Sequence, residues 1–165
     1  MPVTSALGYL QKLLDGLPMP GTGTASLVCL VTPPPVFSEP GPVPHCYVWV
    51  LGGRESRSTV PRNTGPGTPG GFKEIVHQPH LLLLWAGIDE QGALFAGMID
   101  AVMEALRTAV PNPALITDPV TQAVTQIVDT GEVITYRSVV RPAPDQRSNQ
   151  FEAMFEVSMT EVIQA

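Results

Sequence analysis

Asp129-Thr130-Gly131 is the short stretch of this chain whose residue types come nearest to a catalytic pattern. In aspartic proteases two such triplets, one from each half of the site, bring together carboxylates that share a proton, because like charges that close cannot both ionise. The apolar residues 124–128 give the triplet a suitable lead-in. Glu132, however, stands where those enzymes want a small residue, and its charge disturbs a shared proton. The chain also lacks a convincing partner segment, an apolar pair followed by Gly that would support the active loop. A helix end closed by Gly131 and followed by a strand accounts for the same residues.

Cys29, Cys46, His45, His77 and His80 are the metal-ligating types, but none of their spacings matches the C-x2-4-C or H-x3-5-H pairs that reach one zinc ion. In a strand His77 and His80 have opposite parity, so they point to opposite faces unless Pro79 introduces a bulge. They read as core cysteines and ordinary strand histidines, with no metal or cofactor. Gly21-Thr22-Gly23 lacks the lysine of a phosphate loop, and Gly65-Pro66-Gly67 leads into a strand where phosphate binding needs a helix N-terminus. No serine stands in a nucleophile-elbow context. The residues therefore predict a protein that is not an enzyme.

Charge is distributed unevenly. The formal net charge of -6 gives the whole chain no pull toward nucleic acid. Within residues 53–71, Arg54, Arg57 and Arg62 against Glu55 leave +2, whereas Asp145, Glu152, Glu156 and Glu161 against Arg147 leave -3 over 142–165. The basic segment, with nearby Lys73, reads as a solvated loop, a contact to an acidic neighbouring subunit, or a contact to DNA backbone. Without a basic-then-apolar leader, the two cysteines suggest a reduced, cytoplasmic chain, and no apolar run reaches the roughly 18 residues of a membrane span.

The elements that must hold these residues follow from periodicity. At 165 residues, with 44% apolar content, one domain over 1–165 is expected; 18 Pro and 15 Gly, clustered, predict long irregular loops at 33–44 and 53–71. Leu7, Leu10, Leu14 and Leu17 predict a short helix over 7–17, capped by Thr4 or Ser5 and closed near Gly16. Residues 26–32 and 45–51 read as strands, the second ending at Gly52-Gly53. The proline-rich 33–44 is a stiff connection or a polyproline ligand for another domain. A third strand from Phe72 carries Pro79 at a bulge or edge before the apolar run from Leu81 to Trp85.

A long helix over 94–110 then keeps an i, i+3, i+4 stripe, with Asp100, Glu104 and Arg107 opposite. Val120, Ala123, Val124 and Ile127 suggest a short helix, although their Val and Thr content also suits a strand. Strands follow over 132–141 and 150–163, the latter with Phe151, Ala153, Phe155, Val157 and Met159 inward and Glu152, Glu156 and Thr160 outward. The predicted class is α+β: a mainly antiparallel sheet of about five strands with two or three helices packed on it.

This order of elements resembles the tail terminator, or tail completion, proteins of long-tailed bacteriophages and related gene transfer particles. The matching pieces are the helix at 7–17, the strand pair within 26–51, the loop at 53–71, FKEIVHQPHLLLLWAG, the helix at 94–110, ITDPVTQAVTQIVDTG and FEAMFEVSMTEVIQA. The resemblance implies a ring, usually a hexamer, that caps the tail tube, ends its polymerisation and joins tail to head. It places the protein in the virion tail, assembled in the host cytoplasm.

The partners so implied are other copies of the chain, the tail tube protein and a head-side connector, with a non-specific contact to DNA in the lumen and none to a membrane. Arg54, Arg57, Arg62 and Lys73 are the candidates for an interface or lumen loop, and Glu152, Glu156 and Glu161 for an acidic interface. A head-tail connector or tube-like structural protein is the alternative from the same virion. A small aspartic-type protease using Asp129 is the alternative from another class.

Overall fold

A computed structural model of the chain describes residues 2–36, 40–58, 72–108, 114–117, 124–129, 134–142 and 148–164. Helix α1, Pro2–Leu14, begins earlier than its leucines suggest, so Thr4 and Ser5 lie inside it. Proline is tolerated in a first helical turn, where its missing N–H has no intrahelical partner to lose. Asp15 N still donates to Gln11 O, and Gly16, at φ 80°, closes the helix before Leu17. The turn through Gly21 and Gly23, both at positive φ, is fastened by the Thr22 hydroxyl, 2.8 Å from Met19 O, and leads to strand β1, Val28–Leu30. That strand is shorter than the expected 26–32.

Strand β2, His45–Ser58, does not stop at Gly52-Gly53. It passes them through a one-residue bulge: Val50 pairs with Pro79 but Gly52 with Gln78, leaving Leu51 unpaired and 71% exposed. Its partner β3, Phe72–Gly87, is the backbone of the sheet. Proline cannot donate to a ladder, and the pairing around Pro79 is arranged accordingly. The β2 bulge lies on one side of it; on the other, Ser158 separates β7, Asn149–Val157, from β8, Met159–Gln164. The register of β7 and β8 against β3 is nevertheless continuous, with His80 opposite Glu156 and His77 opposite Met159. Pro79 thus marks a bulge, at the centre of the sheet and not at its edge.

Helix α2, Ala93–Thr108, buries Phe95, Met98, Ile99, Val102, Ala105 and Leu106 and exposes Asp100, Glu104 and Arg107. Each large apolar side chain so buried is worth about 1.5–3 kcal/mol. Its start is held by Asp89, which is 7% exposed and accepts a 3.0 Å hydrogen bond at Oδ2 from Phe95 N, one of the N–H groups without an intrahelical acceptor. Asn149 Nδ2 in turn donates to Asp89 O at 3.3 Å. Asp89→Ala is expected to destabilise the fold by about 1–2 kcal/mol, read as a lower urea midpoint with an unchanged slope; an unaltered midpoint contradicts the capping role.

Beyond α2 come β4, Ala114–Thr117, β5, Val124–Asp129, and β6, Ile134–Pro142. Residues 124–129 form a strand and not part of a short helix, as the β-branched Val124, Thr125, Ile127 and Val128 favour, while 120–123 lie outside the described residues. Among the described residues the sheet has eight strands, in the order β1-β2-β3-β8-β5-β4, with β7 continuing β8 beside β3 and β6 pairing with β7. Among these strands β1 and β2 run parallel, and the other described pairings are antiparallel. The fold is α+β with a mainly antiparallel sheet. Both helices pack on the face carrying Cys46, Val48, Leu81, Leu83, Trp85, Phe151, Ala153 and Phe155, with Met159 at its end.

Candidate assembly surfaces

Alternation along β2, β3 and β7 sends a second set of side chains to the opposite face, which carries no helix among the described residues. Tyr47 pairs with Leu82 and Trp49 with His80, whose rings stack at 5.9 Å. Leu82 and Leu84 are buried there among their strand neighbours. Toward β6 the face becomes charged: Arg137 lies opposite Met154, Val139 opposite Glu152 and Thr135 opposite Glu156. Arg141 Nη2 stands 3.7 Å from Glu152 Oε2, with both side chains well exposed, so that ion pair adds little stability. These residues line a shallow groove of 460 Å³, bounded by Thr135, Arg137, Arg141, Glu152, Met154 and Glu156.

The basic candidates do not form one cluster. Arg54 is exposed within β2, at a position opposite Val76, rather than in a loop. Arg57 and Lys73 occupy directly opposed ladder positions of the other parity. Arg62 and the rest of 59–71 lie outside the described residues. The acidic candidates divide as well. Glu152 and Glu156 share the helix-free face, whereas Glu161 falls at the alternate register position, opposite Ile75. Their odd and even numbering already contained this separation.

Asp129 ends β5 opposite Thr160, and Thr130, Gly131 and Glu132 lie outside the described residues. The polyproline candidate at 33–44 is described except for 37–39. Pro42 O accepts from Trp85 Nε1 at 3.2 Å, and Gly41 O accepts from Ala86 N at 2.8 Å, so this stretch is tied to the end of β3. The histidines are dispersed: His77 is buried on the helix side, His80 lies on the opposite face, and His45 Nδ1 is 2.8 Å from Val43 O. Among the described residues no group of three His, Cys, Asp or Glu gathers as metal ligands.

Cys29 and Cys46 are free thiols at paired positions of β1 and β2, both buried in the core. The hydrogen bond with Cys29, reinforced by burial, pushes the Cys46 thiol well above its ordinary pKa. A raised folded-state pKa contributes stability that is present below the unfolded thiol value of about 8.5 and is lost as pH rises beyond it. Stability is therefore expected to fall above about pH 8.5, with a shallower fall in Cys46→Ala. Equal slopes in urea titrations of the two proteins contradict this assignment.

Periodicity missed the character of β6 as an open edge. Among the described residues it pairs only with β7, and Tyr136 and Val140, each 54% exposed, lie on the helix side beyond the helices' cover. Their equal parity in the sequence was a signal, but only the strand order shows that nothing in the described chain follows them. No protein-family model matches the chain, and no curated protein matches it.

Proposed function

We propose that the chain is a structural virion protein of the tail-terminator kind. It forms a ring on the end of a phage tail tube, stops tube polymerisation and offers a surface for joining the head. The observation that carries this reading is a sheet face on which no helix packs among the described residues and whose two ends differ: Arg54 beyond the β2 bulge at one, and Glu152 and Glu156 interleaved with Arg137 and Arg141 near β6 at the other. A head-to-tail ring requires two unlike surfaces on each subunit, and opposite charges steer such surfaces together. The aromatic strip of Tyr47, Trp49 and His80 between them supplies contact area at low entropic cost.

Light scattering of the chain mixed with the tube protein of its own particle tests this. A ring appears as a species several times 17.6 kDa, in addition to the tube protein. A strict monomer, at high concentration and with tube protein present, contradicts it.

A further inference from the structure

The edge strand β6 carries a pattern that complements itself. It is nine residues long, among the described residues it has a neighbour only on the β7 side, and it exposes Tyr136 and Val140 on the helix face and Arg137 and Arg141 on the other. Open edges are templates for pairing with another strand, and proteins ordinarily guard them with charge. We infer that β6 pairs antiparallel with β6 of a second copy, about a two-fold axis through Ser138.

Register selects that axis. A two-fold perpendicular to the sheet sets residues of equal parity opposite each other. Centring it on Arg137 opposes two arginines directly, and centring it on Val139 opposes Arg137 to Arg141. Centred on Ser138, Tyr136 faces Val140 of the second copy, an aromatic and β-branched pair of the kind that stabilises sheets. Within each copy Tyr136 is already opposite Phe155, and Val140 opposite Phe151. The rows Phe155, Tyr136, then Val140 and Phe151 of the second copy therefore carry one apolar layer across the axis.

The charges agree with the same register. Arg137 of one copy faces Val139 of the other, whose β7 neighbour is Glu152, and Arg141 faces Thr135, whose β7 neighbour is Glu156. Each arginine is thus aligned with an acid two strands away, about 10 Å at the usual strand spacing, within reach of the two extended side chains. Four such alignments arise per pair of copies. The arginines that repel an arbitrary strand are matched in this one.

The contact is isologous and closes at two, so it does not depend on the ring. Because it engages Glu152 and Glu156, it belongs to the free chain rather than to a ring that uses those acids. One strand pair with flanking side chains is a small interface, and the dimer is accordingly a weak one.

Cysteine substitution in the purified full chain tests the register. Opposed residues have Cα atoms about 4.5–5.5 Å apart, within disulfide range, so Ser138→Cys is expected to crosslink to a covalent dimer in oxidised glutathione. Arg141→Cys places the two thiols about 20 Å apart and is expected to stay monomeric on a non-reducing gel, as is the wild type with its buried thiols. Adding Val140→Arg to Ser138→Cys is expected to slow crosslinking about ten-fold. All three positions are exposed, and circular dichroism verifies that the variants fold. Folded Ser138→Cys that stays uncrosslinked, equal crosslinking at 138 and 141, or indifference to Val140→Arg each overturns the proposal. Loss of the ring with this pattern intact leaves it standing.

Discussion

Replacing Phe151 by Ala lowers the unfolding free energy by about 3–5 kcal/mol. Its ring is fully buried and lies 5.2 Å from that of Trp85 in β3 and 4.9 Å from that of Phe95 in α2. The side chain is therefore where β7, the central strand β3 and the long helix α2 meet. Truncation removes its burial and leaves a cavity between two aromatic rings that are fixed from other directions: Trp85 by its bond to Pro42 O, and Phe95 by the Asp89 carboxylate on its own backbone N–H. Neighbours so held collapse poorly, which places the cost toward the upper end of the range. For a chain of this size the melting temperature drops by roughly 10 °C. Phe151→Leu retains much of the volume and loses less. A Phe151→Ala protein within about 1 kcal/mol of wild type contradicts this account of the core.

Gly87→Ala is the second large effect, and here the cause is close approach. A Cβ built on Gly87 overlaps Trp85 Cζ2 and Cη2 and comes 2.6 Å from Cε2. A methyl group there displaces the indole, which is 4% exposed and donates to Pro42 O at 3.2 Å. Overpacking of this kind costs about 1–3 kcal/mol, and the hydrogen bond and the stack on Phe151 are disturbed with it. Since the chain has two tryptophans, a changed fluorescence maximum reports the displacement once Trp49 has been replaced by Phe. The steric cause predicts that Gly87→Ala costs little in a Trp85→Ala background. An equal cost in both backgrounds removes the indole from the explanation.

Several parts of this fold are written locally enough to be read. The stripe of α2 needs only its own spacing, and Phe151, Ala153, Phe155, Val157 and Met159 alternate so regularly that their burial follows from parity. Pro79 announced a bulge because a residue without an N–H must interrupt a ladder. Gly52-Gly53 misled because the same dipeptide that ends a strand also permits it to bend and continue; whether it continues depends on residues 72–77, which are remote in sequence. The strand at 124–129 is likewise decided by its partner β8.

The candidate surfaces were less legible than the core. Residue types proposed a basic set and an acidic set, but a charge belongs to a surface only through its parity and the strand beside it. Arg54 and Arg57 differ in parity, as do Glu156 and Glu161. The exposed pair Tyr136 and Val140 has the composition of an ordinary buried strand face. Only the strand order, in which β6 is outermost among the described residues, accounts for their exposure.

Electron micrographs of tails made by a particle deleted for this chain test the assignment most directly. A subunit that ends tube polymerisation predicts tails of uncontrolled length in its absence, restored to uniform length by the wild-type chain. Tails of normal length, whether attached to heads or lying free, contradict the terminator role, and free tails of normal length assign the chain to the head-tail junction.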